Sequence, residues 1–143
     1  MENKKGTVKE ILLYAIIGIL VGFFFNQGLS YALNTETPMV AVASDSMIPV
    51  YYPGDLLIVK GANITTIKEG DIIVFRPPGF SIPIVHRVTK IYPDNTLRTR
   101  GDHNKQADPW KVKPDWIIGK VIISIPKVGY LKLILLKVKR LIP

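Results

Sequence analysis

No cysteine occurs among the 143 residues. Disulfide frameworks, thiolate metal sites and cysteine nucleophiles are thereby excluded, which leaves hydroxyl, imidazole and carboxylate groups to carry any chemistry. Histidine is nearly as scarce, with two copies, His86 and His103, so the candidates for a neutral-pH base are few. Lys and Arg are missing entirely between Lys9 and Lys60. Aromatic residues make up only 9%, and no basic stripe with interleaved aromatics is visible, which argues against nucleic acid as a partner despite a net charge of +8. Acids are missing from residues 127–143, where Lys127, Lys132, Lys137, Lys139 and Arg140 stand among Leu, Ile and Val. Much of the positive charge therefore sits in an apolar tail beside a nearly balanced body, the pattern of a domain seated on an anionic membrane surface.

Residues 11–33 are uncharged and long enough to cross a bilayer core, which takes about 20 helical residues. Lys4, Lys5 and Lys9 precede this segment and no basic residue follows it closely, so the positive-inside rule predicts a cytoplasmic N-terminus and an extracytoplasmic body. A cleavable signal peptide is the competing reading, because Ala41-Val42-Ala43 before Ser44 has the form of a cleavage site. The long gap between the apolar run ending at Phe25 and that site favours an uncleaved anchor. The chain is thus read as a cytoplasmic N-terminus at 1–10, a transmembrane anchor at 11–33, a β-rich domain at 34–126 and a basic amphipathic membrane-surface tail at 127–143.

Beyond residue 38, β-branched apolar runs alternate with turn signals. The runs are Met39–Ala43, Leu56–Val59, Ile72–Phe75, Ile84–Ile91, Thr96–Thr99 and Trp116–Ile125. Between them stand Pro53-Gly54, Glu69-Gly70, Pro77-Pro78-Gly79 and Pro93-Asp94-Asn95. Short strands at this spacing, with no helical stretch between them, predict a mainly β fold: an antiparallel, partly closed, β-barrel-like domain with one N-terminal transmembrane helix.

Ser44-Asp45-Ser46-Met47-Ile48-Pro49 lies between a predicted strand and a Pro-Gly turn, a rigid setting for a hydroxyl. Serine is a weak nucleophile until a base takes its proton and donors face the developing oxyanion, and a serine-rich turn is by itself usually only a turn. An unperturbed imidazole titrates near about 6.5 and suits that base. Strand alternation sends Ile84, His86 and Val88 to one face, where a histidine is as readily a hydrogen-bonded core residue. The polar loop Gly101–Pro109 supplies Asp102 and Asp108, and either carboxylate could hold an imidazole in the needed tautomer. A metal site from His103, Asp102 and Asp108 has no recognisable ligand spacing, and no metal or other cofactor is expected.

The order of these segments resembles the type I signal peptidase family from the anchor to about Tyr130. Ser44 to Pro49 matches the S-x-S-M-x-P box, Gly70 to Phe75 the G-D-[IV]-V-x-[FY] strand, and Ile84 to Val88 the box that carries the base. Bacterial members place lysine there, whereas archaeal and endoplasmic-reticulum members place histidine, so His86 puts this chain with the second group. The lack of a large inserted second domain agrees. Gly101 to Asp108 is similar to the G-D-N-N box and the acid six residues after its first Asp, with His103 as a departure. Gly119 to Val121 and Ile125 to Tyr130 are similar to the closing strand.

The resemblance implies a serine endopeptidase that removes signal peptides from exported preproteins. Ser46 would be the nucleophile, His86 the base and Asp108 the acid that orients it, with Asp102 supporting. Ser44 would assist the oxyanion hole, a role carried over from lysine-type relatives. Signal peptides and the lipid bilayer are the implied partners, with accessory subunits or the secretion translocon beside them, on a plasma membrane or the lumenal side of the endoplasmic reticulum. A membrane-tethered β-domain that binds a partner without catalysis is the alternative from another class, distinguished by unchanged behaviour on Ser46→Ala.

Overall fold

Ile72 to Phe75 is a continuous apolar run, buried throughout, and a strand that reads this way must be covered on both faces. It is one of the two central strands of the domain. Ile73 and Phe75 enter one cluster with Ile67, Val88, Leu97 and Val112. Val74, pointing the other way by the alternation of a strand, enters a second with Val40, Val42, Leu57 and Val59. Phe75 is fully buried, so Phe75→Ala is expected to destabilise the domain by about 3–5 kcal/mol, read as a lowered midpoint in denaturant unfolding followed by tryptophan fluorescence.

The computed structural model describes residues 3–131 and 133–134. The chain divides into two compact units, Met1–Ala32 and Leu33–Pro143. The first is made of helix α1 (Asn3–Leu33). Its stretch Thr7–Leu33 is the one helix among the described residues long and apolar enough to cross a membrane. The helix begins well before residue 11 because lysine and glutamate are good helix formers, and it stops at Asn34, whose φ of 50° is a left-handed terminating conformation.

The second unit holds one antiparallel sheet of six strands: β1 (Met39–Ala41), β2 (Leu56–Lys60), β3 (Ile72–Phe75), β4 (Ile84–Ile91), β5 (Leu97–Arg100) and β6 (Ile117–Ile125). Their order is β1-β2-β6-β3-β4-β5. Neighbours in sequence pair as hairpins at both ends, while β6 inserts between β2 and β3. The sheet is mainly β and antiparallel as expected. It remains open: among the described residues its edges, β1 and β5, are not paired with each other. The β5 edge is covered instead by the segment that follows it, through the reciprocal Leu97 and Val112 bonds and the Asp108 amide donating to the Thr99 carbonyl.

A buried carboxylate fixes the approach to the serine-rich turn. Asp55 accepts from the Tyr52 amide at 2.9 Å and the Lys127 amide at 3.1 Å. The Gly54 and Val42 backbones exchange register through Gly54 N–H to Val42 O and Val42 N–H to Asp55 O, both 2.9 Å. Gly54 has φ of 90°, a conformation glycine adopts without strain. The chain is thereby held up to Ala43. Of the expected basic tail, Lys132, Lys137, Lys139 and Arg140 lie outside the described residues.

Candidate active site

Just after β1 the chain makes a 3₁₀ turn at Asp45–Met47. Met47 is 1% exposed and plugs the turn into the domain, whereas Ser46 beside it is only half-buried. The turn is held from outside as well, because the His103 amide donates to the Ser46 carbonyl at 2.9 Å. Ser44, extended at φ −134° and ψ 167°, makes no side-chain cap. Its Oγ instead meets Ser46 Oγ at 3.2 Å.

His86 lies on β4 opposite Ile73 of β3, buried, with its ring edge-on to Phe75 at 6.4 Å between centroids. Its Nδ1 is 2.8 Å from Asp108 Oδ2. Asp108 Oδ2 is an acceptor toward the Thr99 hydroxyl; with the same oxygen accepting from Nδ1, the Nε2 lone pair is left for other work. Nε2 stands over Gly101: a Cβ there would come 2.9 Å from Nε2 and 2.5 Å from the Ser46 carbonyl oxygen. Gly101 is thus the contact through which the serine turn and the imidazole approach each other. Gly101→Ala is expected to cost at least about 100-fold in kcat/KM for any hydrolysis carried by this pair, by prising the two apart, as measured alongside the parent.

The two carboxylates of the polar loop part company. Asp108 is buried, and its Oδ2 accepts from His86 Nδ1 and from the fully buried Thr99 hydroxyl. Asp102 instead takes a bidentate grip from Arg87, Nε to Oδ1 at 2.8 Å and Nη2 to Oδ2 at 2.6 Å, while Arg87 Nη1 donates to the Gly70 carbonyl at 2.8 Å. Arg87 alternates with His86 on β4 and points to the opposite face, so this fork pins the Gly101–Asp108 loop to the strand that carries the imidazole. The Asp102 hydrogen bond raises the Arg87 guanidinium above its ordinary value. Burial raises the nearby Tyr51 phenol, an effect that the Arg87 charge opposes and the Asp102 charge reinforces. The grouping of His103, Asp102 and Asp108 is not assembled as a metal site: His103 is exposed, Asp102 holds Arg87 and Asp108 faces His86.

Ser46, His86 and Asp108 border one cleft of about 390 Å³, together with Val40 to Ser44 on one side and Phe80 and Ile82 to Val85 on the other. Both sides offer a strand edge: among the described residues β1 ends the sheet beside β2, and β4 pairs with β5 from Arg87 onward, which leaves Ile84 to His86 laddered to β3. An extended peptide added between such edges gains main-chain hydrogen bonds from both. Ser46 Oγ is bonded to Ser44 and makes no hydrogen bond to His86 Nε2. Thr99, Gly101 and the Arg87–Asp102 fork were not singled out by residue type. The signal for Thr99 was alternation, which places it inward with Leu97, and for Arg87 its place beside His86 on the outward face.

A family model described as Peptidase S24-like matches residues 24–122. The chain is similar to the signal peptidase complex catalytic subunit SEC11 of Colletotrichum graminicola, 35% identical over 94% of this chain and 84% of that protein. It is 35% identical to the protein of the same name from Pyricularia oryzae over the same shares. The human signal peptidase complex catalytic subunit SEC11C is 32% identical over 93% of this chain and 74% of its own length.

Proposed function

The chain belongs to the Peptidase S24-like family, on its signal peptidase branch, and from that premise we propose that Ser46, His86 and Asp108 hydrolyse the peptide bond at which a signal peptide is removed. The protein is a peptidase that takes signal peptides off preproteins. The observation that carries the mechanistic reading is the buried 2.8 Å bond between His86 Nδ1 and Asp108 Oδ2, which leaves Nε2 as the base in the cleft that Ser46 borders.

The sequence of events follows from these positions. A preprotein segment lies extended in the cleft beside Val40 to Ala43 and Ile82 to Val85. Ser46 turns from Ser44 and passes its proton to His86 Nε2 as Oγ attacks the scissile carbonyl. The imidazolium is balanced by Asp108, and the tetrahedral oxyanion is met by the Ser46 backbone N–H with the Ser44 hydroxyl beside it. Collapse expels the new N-terminus, which takes the proton from His86 Nε2. Water, deprotonated by the same nitrogen, then attacks the acyl carbonyl; the bond to Oγ breaks and Ser46 takes the proton back from His86 Nε2. Asp102 supports the site through Arg87 rather than by touching the imidazole.

Residues 11–33 anchor the chain, residues 1–10 stay cytoplasmic and residues 34–126 work on the extracytoplasmic side, a layout supported by Lys4, Lys5 and Lys9 ahead of the apolar helix. The relatives are subunits of a signal peptidase complex, and this chain is read as working with accessory subunits in the same way. The test is incubation of the full chain in detergent with a preprotein bearing an Ala-x-Ala site, followed by N-terminal sequencing of the product. A single cut behind the second Ala is expected. Absence of product from the folded chain, or scattered cuts, would contradict the reading.

A further inference from the structure

Thr99 occupies an apolar position. It lies on β5 opposite Val88, on the same face as Leu97, and is completely buried. A hydroxyl there has to be satisfied, since an unpaired buried polar group is costly. It donates to Asp108 Oδ2, the oxygen that also accepts from His86 Nδ1. Two further features make this contact directional. The β-branched side chain has few rotamers, and the Asp108 amide donates to the Thr99 carbonyl at 2.9 Å, so main chain and side chain of the same two residues are joined. Other charges stand aside. Arg98 and Arg100 on β5 and His103 and Lys105 in the loop are exposed, and Arg87 on β4 is engaged with Asp102.

We propose that Thr99 is a positioning residue of the hydrolytic site, whose hydroxyl fixes the Asp108 carboxylate and bears part of its charge, so that His86 is held with Nε2 free at neutral pH. The inference rests on the reading of Ser46, His86 and Asp108 as the hydrolytic set. Its physical content is a sign. With one donor fewer, Oδ2 presents more negative charge to the imidazole, and the coupled His86–Asp108 pair holds an added proton more tightly. The form that can act as a base is then lost at higher pH than in the parent.

The test is the pH dependence of kcat and KM for preprotein cleavage by the full chain in detergent, for the parent, Thr99→Val, Thr99→Ala, Thr99→Ser and Ser46→Ala, with unfolding temperature as a check. In Thr99→Val, kcat is expected to fall about 10-fold with KM nearly unchanged, and the acid limb to move up by about half to one pH unit. Thr99→Ala, which leaves space instead of a methyl group, is expected to move the limb the same way, so either folded variant suffices. Thr99→Ser, which keeps the donor, is expected to restore the parent profile. A merely structural Thr99 would lower the amount of active protein and leave the limb in place. Limbs that superpose on the parent in the hydroxyl-free variants, while Ser46→Ala is inactive, overturn the role of Thr99 alone. Activity retained in Ser46→Ala overturns the underlying reading.

Discussion

Ser46→Ala is expected to lower kcat for preprotein cleavage by about 10⁴-fold or more, with little change in KM. The size follows from what the hydroxyl does. In the proposed mechanism it supplies the bond-forming atom, so its loss removes the acyl-enzyme route altogether and leaves only what binding and oxyanion donors can do for direct attack by water. KM is spared because the turn does not depend on the hydroxyl. Met47 is buried beneath it, and the His103 amide still holds the residue 46 carbonyl. Single-turnover cleavage at saturating enzyme, with circular dichroism of the same preparation, separates lost chemistry from lost fold.

His86→Ala is expected to cost about as much in kcat as Ser46→Ala, and the double variant no more than either alone, because residues that act as one unit fail together. A serine without a base keeps its proton and attacks poorly. This variant carries a structural cost that Ser46→Ala does not. The imidazole is buried against Phe75, and its removal leaves Asp108 with the Thr99 hydroxyl as its remaining side-chain donor. A lowered unfolding temperature is therefore expected for His86→Ala, and rates should be compared on folded protein. Multiplicative losses in the double variant would mean that the two side chains work separately.

The strands were legible because their signals are local. Alternation in Ile84 to Ile91, the unbroken apolar run Ile72 to Phe75 and the intervening Gly and Pro turns mark strands to within a residue or two of those found. The order of the sheet was not. β6 pairs with β2 at Leu56↔Ile125 and with β3 at Ile73↔Lys120, contacts between distant parts of the chain that no local pattern encodes. The site shows the same division. The absence of cysteine and the scarcity of histidine narrowed the candidates, but Ser46 was picked from its turn, and His86 as the base, by the family motifs, and Asp102 and Asp108 are equivalent by composition. Family spacing favoured Asp108. In the fold, Arg87 engages Asp102 on the outward side of β4, and the segment running along β5 brings Asp108 to His86. Thr99 was invisible for a related reason, since one threonine in a strand acquires meaning only when a neighbouring segment lays a carboxylate against it.

In the proposed mechanism Ser46 Oγ forms the covalent bond to the preprotein. Full chain and preprotein would be mixed, quenched in acid within the first turnover, digested and read by mass spectrometry. A transient adduct with the mass of the signal peptide acyl group is expected on the peptide containing Ser46, absent from Ser46→Ala. An adduct on another residue, or undiminished cleavage by Ser46→Ala, would contradict it.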